Sequence, residues 1–153
     1  MIVEFILNGE HASARVVAAM SLLDVFRDQL ELPGSKNACD QGECGSCSIV
    51  LDGAVVCSCL VMAADVEGSE VTTVEGVAPE GVLNEIQQAM HEGGAVQCGF
   101  CTPGIVVMAT DLFATNPSPS RAEIKEALAG NICRCTGYGA IVRALEAVAG
   151  AEA

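Results

Sequence analysis

Nine cysteines in 153 residues constrain this chain more than any other feature, and they are not scattered: five lie between Cys39 and Cys59, four between Cys98 and Cys135. Thiols gathered in this way mean disulfides in an oxidising compartment and metal or redox chemistry in a reducing one. The first residues, Met1 to Asn8, lack a basic stretch, a long apolar stretch and a small-residue cleavage site, so no signal peptide is read there and a cytoplasmic location is expected. No apolar run approaches the roughly 18 residues of a membrane span. The cysteines are therefore expected to bind metal, and the function to sit with them.

Their spacing narrows the metal. Cys39, Cys44 and Cys47 form C-x4-C-x2-C, followed by Cys57 and Cys59, and this is the loop spacing of plant-type 2Fe-2S ferredoxins. Four thiolates must converge on two irons from a loop that wraps the inorganic sulfides. Gly42 and Gly45 are expected to let the backbone come close and turn N–H groups toward sulfur. Structural zinc usually joins two C-x2-C pairs, and the x4 spacing argues against it. In the second set, Cys98-Gly99-Phe100-Cys101 is a C-x2-C pair and Cys133-Arg134-Cys135 a C-x-C pair. Brought together, they can make a second site of four thiolates. His11 and His91 fall outside both sets and read as surface or locally bonded side chains.

The elements that carry these loops can be read from periodicity. Met1 to Leu7 and Ala12 to Ala18 read as strands joined at Asn8-Gly9, a dipeptide suited to a tight hairpin. Ser21 and Asp24 predict a capped helix stopped by Pro33-Gly34. Lys36 to Ser48 reads as a loop. Ser48 to Leu51 and Ala54 to Cys57 read as a second hairpin, and Val71 to Val74 as a further strand. After Gly76 the pattern turns helical. Val82 to Met90 predicts one helix, Pro103 to Thr115 a second, Ser120 to Gly130 a third, and Ile141, Leu145 and Val148 mark a fourth. The expected organisation is α+β, with one unit at 1–76 and a four-helix unit at 77–153.

Charge excludes one class of partner. Asp and Glu number 20 against 7 Lys and Arg, a formal charge of −13, which disfavours nucleic acid and anionic membrane surfaces. Apolar residues are 51% and aromatics 3%, which describes a globular core of Ala, Val, Leu and Ile.

Two longer segments carry a family resemblance. Gln97-Cys98-Gly99-Phe100-Cys101-Thr102-Pro103-Gly104 and Gly130-Asn131-Ile132-Cys133-Arg134-Cys135-Thr136-Gly137-Tyr138 resemble the paired signatures of the iron-sulfur subunit of molybdenum hydroxylases, the xanthine dehydrogenase and aldehyde oxidase family. The resemblance spans about residues 2 to 149. It implies an N-terminal β-grasp ferredoxin domain followed by an all-α four-helix bundle. By similarity, Cys39, Cys44, Cys47 and Cys59 bind an outer 2Fe-2S cluster near a flavin, and Cys98, Cys101, Cys133 and Cys135 an inner one near molybdenum. Gln97 and Cys135 match positions that contact the molybdopterin cofactor. Periodicity alone leaves Cys57 and Cys59 undecided, because two residues apart on one strand they would share a face; the family's gap of eleven residues selects Cys59 and leaves Cys57 as a spare, buried thiol.

The function implied is electron transfer within an oxidoreductase that hydroxylates purines or other N-heterocycles, or oxidises aldehydes, with water as the oxygen source. The chain is too short to hold the other centres and has no G-x-G-x-x-G fingerprint. A large molybdenum-binding subunit and a medium FAD-binding subunit are therefore expected as partners, in a heterotrimer or a dimer of heterotrimers. No residue of this chain is expected to act as a catalytic acid, base or nucleophile. Gly42-Glu43-Cys44-Gly45 resembles subunits of purine and N-heterocycle hydroxylases more than the carbon monoxide dehydrogenase version. A free ferredoxin-like carrier and a zinc-stapled interaction protein are the alternatives. The first would need only one cluster, and neither would need the Gln97 segment.

Overall fold

The computed structural model describes residues 1–151; residues 152 and 153 of the expected second unit lie outside the described residues. Strands β1 (Ile2–Leu7) and β2 (Glu10–Arg15) form the opening hairpin. Asn8 and Gly9 take φ values of 52° and 86°, the two positive values of a type I′ turn, so Leu7 pairs directly with Glu10. The second strand thus starts before the expected Ala12. It also stops at Arg15 rather than Ala18, because its partner runs out at Ile2.

Ser21 caps the next element: its Oγ accepts the Asp24 N–H at 3.1 Å, and the Asp24 carboxylate accepts the Ser21 N–H at 3.2 Å. The expected single helix is one α-helical turn, α1 (Leu22–Asp24), running into a π-helical turn at Val25–Gln29. The Leu30 N–H reaches back to the Val25 carbonyl. Leu22, Val25 and Phe26 are all buried against the sheet.

Strands β3 (Ser48–Leu51) and β4 (Ala54–Cys57) make the second hairpin as expected, and β5 is Glu70–Thr72. The five strands form one mixed sheet in the order β2-β1-β5-β3-β4, with β5 parallel to β1 and the other pairs antiparallel. Alternating residues Val3, Phe5 and Leu7 of β1 join Ile49 and Val71 beneath Phe26 to form the first core.

The rest is helical. Helix α2 (Glu85–Glu92) starts later than the expected Val82, because Asn84 is the cap and makes reciprocal bonds with Gln87. Val82 and Leu83 stay outside it and exposed. Helix α3 (Thr102–Thr115) carries Pro103 in its first turn, α4 (Arg121–Ala127) is capped by Ser120 and tightens to a 3-10 turn at Leu128–Gly130, and α5 is Gly139–Ala151. Ile86, Ile105, Ile124, Ile141 and Leu145 from these four helices meet in a second core. No described helix is long and apolar enough to cross a membrane.

The two cores meet at a polar seam. Asn131 is buried, and its Nδ2 donates to the Gly45 carbonyl at 3.0 Å. Ser48 Oγ donates to the same carbonyl at 2.7 Å, and the Ile132 N–H donates to the Cys44 carbonyl at 2.9 Å. Residues of the two cysteine regions are thereby bonded backbone to backbone.

Candidate metal centres

The first cysteine loop has no regular structure between Lys36 and Cys47; the Lys36 N–H bonds the Ser46 carbonyl across it. Asp40, Gly42 and Gly45 all have positive φ, and this succession of turns brings several N–H groups inward. Those of Gln41, Cys44 and Glu43 point at Cys39 and, with a contact from the Cys44 thiol, bring the Cys39 thiol down to about 6. The Gln41 nitrogen is 3.4 Å from that sulfur. At Gly45 a side chain would strike the Gly130 carbonyl, so that position needs glycine for space as well as for φ; at Gly42 it would meet only the movable end of Leu60, and φ alone calls for glycine.

Cys57 and Cys59 do not share a strand. Strand β4 ends at Cys57, and Ser58–Leu60 is a 3-10 turn, which removes the premise that both thiols point to one face. The turn is pinned by buried Ser58, whose N–H and Oγ both donate to the Cys47 carbonyl. Both thiols reach Cys47, but their other bonds differ. Cys57 Sγ donates to the Gly42 carbonyl at 3.8 Å, and burial followed by charge repulsion from Cys47 pushes it up to about 11. Cys59 is pushed up to about 12, by burial and then by its bond to Cys47, yet it also receives the Gly42 N–H. An N–H donor suits a thiolate; a carbonyl acceptor suits a thiol that keeps its proton.

The second site is assembled from two loops. Cys98 and Cys101 precede α3, and Cys133 and Cys135 lie between the 3-10 turn after α4 and the start of α5. The Cys135 thiol donates to Cys98 Sγ at 3.5 Å, which raises Cys135; the Phe100 N–H, followed by this bond, lowers Cys98. Burial, then the contact with Cys133, pushes Cys101 up to about 12. Burial also acts to raise Cys133, but the Thr136 hydroxyl and the N–H groups of Thr136 and Cys135 outweigh it and bring the thiol to about 7. Each pair thus joins a proton donor to a thiol held toward its thiolate form.

Among the described residues, no three His, Cys, Asp or Glu side chains gather closely enough to hold one metal ion. The thiols meet instead mainly as pairs, Cys39 with Cys44, Cys47 with Cys59, Cys98 with Cys135 and Cys101 with Cys133, with Cys57 a further neighbour of Cys47. Two pairs per site, with backbone N–H groups aimed at sulfur, is the donor set that fits two irons bridged by sulfide. A cavity of about 300 Å³ lies between the sites, bounded by Ala38 and Cys44 on one side and by Phe100, Cys101, Ile132 and Cys133 on the other.

Comparison with known proteins agrees with this donor set. Residues 5–78 match the family described as 2Fe-2S iron-sulfur cluster binding domain, and residues 73–146 match [2Fe-2S] binding domain. The nicotine 6-hydroxylase small subunit of Paenarthrobacter nicotinovorans is 45% identical, over 91% of this chain and 84% of its own. The xanthine dehydrogenase iron-sulfur-binding subunit of Escherichia coli O157:H7 is 44% identical, over 92% of this chain and 89% of its own. The chain is an iron-sulfur subunit of the molybdenum hydroxylase family. A chain of quinoline 2-oxidoreductase from Pseudomonas putida 86 superposes on this subunit with a TM-score of 0.95 at 43% identity, covering 99% of this chain and 94% of that one. The subunit carries two 2Fe-2S clusters and works as part of an oxidoreductase complex.

Several residues of the subunit's site gave no signal in the sequence. Ser58, Asn131, Thr136 and Tyr138 all bond to a cysteine residue or its neighbour. Their roles depend on tertiary contacts, although Asn131, Thr136 and Tyr138 stand inside the segment that carries the family resemblance. Gln97 is exposed beside Cys98, and His11 and His91 are exposed, as expected of them.

Proposed function

We propose that this chain carries electrons singly between a molybdenum-pterin centre and FAD, each held by a partner subunit. When bound, each 2Fe-2S cluster supplies a site that takes up and returns one electron at a time. Cys39, Cys44, Cys47 and Cys59 hold the outer cluster, and Cys98, Cys101, Cys133 and Cys135 the inner one. The carrying observation is the pairing of these eight thiols in two sites that the Cys44 to Ile132 hydrogen bond joins.

The Gly42 contacts support Cys59 as the outer site's fourth ligand and Cys57 as a spare thiol. Gln97 and Cys135 contact the molybdopterin. What supports this is their exposure on one edge, where the 3.5 Å contact of Cys98 with Cys135 sets Gln97 close by. The fold is best described as a β-grasp domain over 1–76 and a four-helix bundle over 77–153. The mixed sheet crossed by α1 and the single core of α2 to α5 support that description.

A large molybdenum subunit and a medium FAD subunit complete a heterotrimer or a dimer of heterotrimers in the cytoplasm. Its substrate is a purine, another N-heterocycle or an aldehyde. Relatives named for nicotine, nicotinate, caffeine and xanthine favour the N-heterocycles. The test is to purify the chain from its source with whatever accompanies it and assay xanthine, nicotinate and an aromatic aldehyde. A large molybdenum chain and turnover of a heterocycle are expected; a lone chain that binds neither partner overturns the proposal.

A further inference from the structure

The C-x-C loop of the second site holds a small network that cluster ligation alone does not require. Thr136 Oγ1 lies 3.1 Å from Cys133 Sγ. The same oxygen accepts the Tyr138 N–H at 3.1 Å. Tyr138 can offer that N–H because its backbone stands at φ 66°, a region unfavourable for an aromatic residue. Its phenol oxygen holds it there, accepting the Cys133 N–H at 2.9 Å and donating to the Asn131 carbonyl at 3.1 Å. Asn131 in turn is fixed to Gly45 across the seam.

This arrangement determines where the hydroxyl proton goes. A threonine hydroxyl has one proton and two lone pairs, and the Tyr138 N–H occupies a lone pair. A sulfur bound to iron has no proton to give. Across the 3.1 Å contact with an iron-bound Cys133, Thr136 is therefore the partner able to donate. Cys133 is also nine-tenths buried, so little water competes for that sulfur. Among the described residues, no other thiol has a side-chain hydroxyl bonded to it; the rest receive backbone N–H groups or other thiols.

We infer that Thr136 sets the reduction potential of the second cluster by donating a hydrogen bond from Oγ1 to Cys133 Sγ, with Tyr138 as the positioning residue that aims it. Reduction adds one electron, and its charge is shared with the ligand sulfurs. A donor on one of them favours the reduced state and raises the potential. The effect is selective, because the first site has no such hydroxyl among the described residues. The inference rests on Cys133 being a ligand, as proposed above.

The test uses the assembled complex and a matched pair of variants, Thr136→Ala and Thr136→Ser. Both lose the methyl group, and only the first loses the hydroxyl. Redox titration followed by electron paramagnetic resonance reads both clusters, and the signal that Cys133→Ser removes is assigned to the second. In Thr136→Ala the second cluster should become harder to reduce by about tenfold in its equilibrium constant, 59 mV for a one-electron couple. The first cluster should not move, and Thr136→Ser should stay near the wild type. An unchanged potential in Thr136→Ala, an equal shift in Thr136→Ser, or an equal shift of both clusters overturns the inference.

Iron content and two integrated spins in each variant keep that failure apart from a failure of ligation. If Cys133→Ser retains both signals, the ligand assignment falls and this inference with it. One measurement needs no variant. In the wild-type complex moved briefly into D2O, double resonance on the reduced second cluster should show a deuteron arriving at hydroxyl rates, ahead of the amides. Its absence overturns the inference.

Discussion

The two cysteine sets solve one chemical problem by opposite means. The first is local: Cys39 to Cys59 lie in one loop, the hairpin that closes it and the turn that follows, and the N–H groups of Gln41, Glu43 and Cys44 come from the loop itself. The second is built at a distance. Cys98 and Cys135 touch across 37 positions, and they meet only because α3 and α5 share a core. Each set has one buried thiol, Cys47 in the first and Cys133 in the second. Cys98 and Cys135 are exposed, whereas no thiol of the first set is. A local site can survive loosening of the rest of the fold; a site made by packing has the stability of the packing.

The largest test of that contrast is iron removal. In the chain alone, a chelator under reducing conditions should take the second cluster first, and timed iron release with spin counting should pass through a one-cluster stage. Complete removal should cost much of the circular dichroism signal, since each half is near the size at which domains depend on a metal staple. Simultaneous loss of both clusters would break the comparison.

Single ligands come next. Cys133→Ser should remove the second signal and Cys59→Ser the first, while Cys57→Ser keeps both, read by iron content and integrated spin. Loss of the first cluster in Cys57→Ser with retention in Cys59→Ser would reassign the fourth ligand.

Smaller changes probe the seam. Asn131→Ala removes one donor from the Gly45 carbonyl, which keeps Ser48, and should cost about 0.5–1.5 kcal/mol. Gly104→Ala would drive a Cβ into that same carbonyl and should cost about 1–3 kcal/mol by overpacking. Denaturant midpoints check both, and the second cluster should be the more labile in each variant.

Acid gives the smallest difference. In the first unit, the Glu70 N–H and then the Ser69 hydroxyl hold Asp52 below the usual carboxylate value; in the second, the Ser120 hydroxyl and N–H do so for Glu123. A depressed carboxyl stabilises the fold above its unfolded pKa, about 3.9 for Asp and 4.3 for Glu, and that contribution is lost as pH falls through the lower folded value. Asp52→Asn and Glu123→Gln should each flatten the decline of stability below pH 4, by similar small amounts, in melting curves taken across pH.

What could be read from the sequence divides along the same line. Asn8-Gly9, Asp52-Gly53 and the Ser120 cap announce themselves because their physics lies within four residues. Spacing divided the cysteines into two groups and singled out the C-x4-C-x2-C loop, whereas the ligand sets came with the family resemblance. The π turn at Val25 was not legible, because Leu22, Val25 and Phe26 share a face in an ordinary helix too, and their spacing does not distinguish the two. The start of α2 was misplaced because Val82 and Leu83 have helical spacing but lie outside the Asn84 cap. Cys57 and Cys59 stayed ambiguous because a 3-10 turn, pinned by the distant Cys47 carbonyl, separates them. Thr136 and Tyr138 read only as parts of a motif, since their bonds close around a backbone shape that no periodicity encodes.

The seam also orders events during synthesis. Gly45 and its partner Asn131 are 86 positions apart, so when the first loop leaves the ribosome the group that will close over it has yet to be made. Until then the Cys44 carbonyl lacks its Ile132 partner and the Gly45 carbonyl has only Ser48. Arrival of the Asn131 segment closes the seam and brings Cys133 and Cys135 to Cys98 and Cys101. The first cysteine set is thus complete in the growing chain well before the second has all of its thiols.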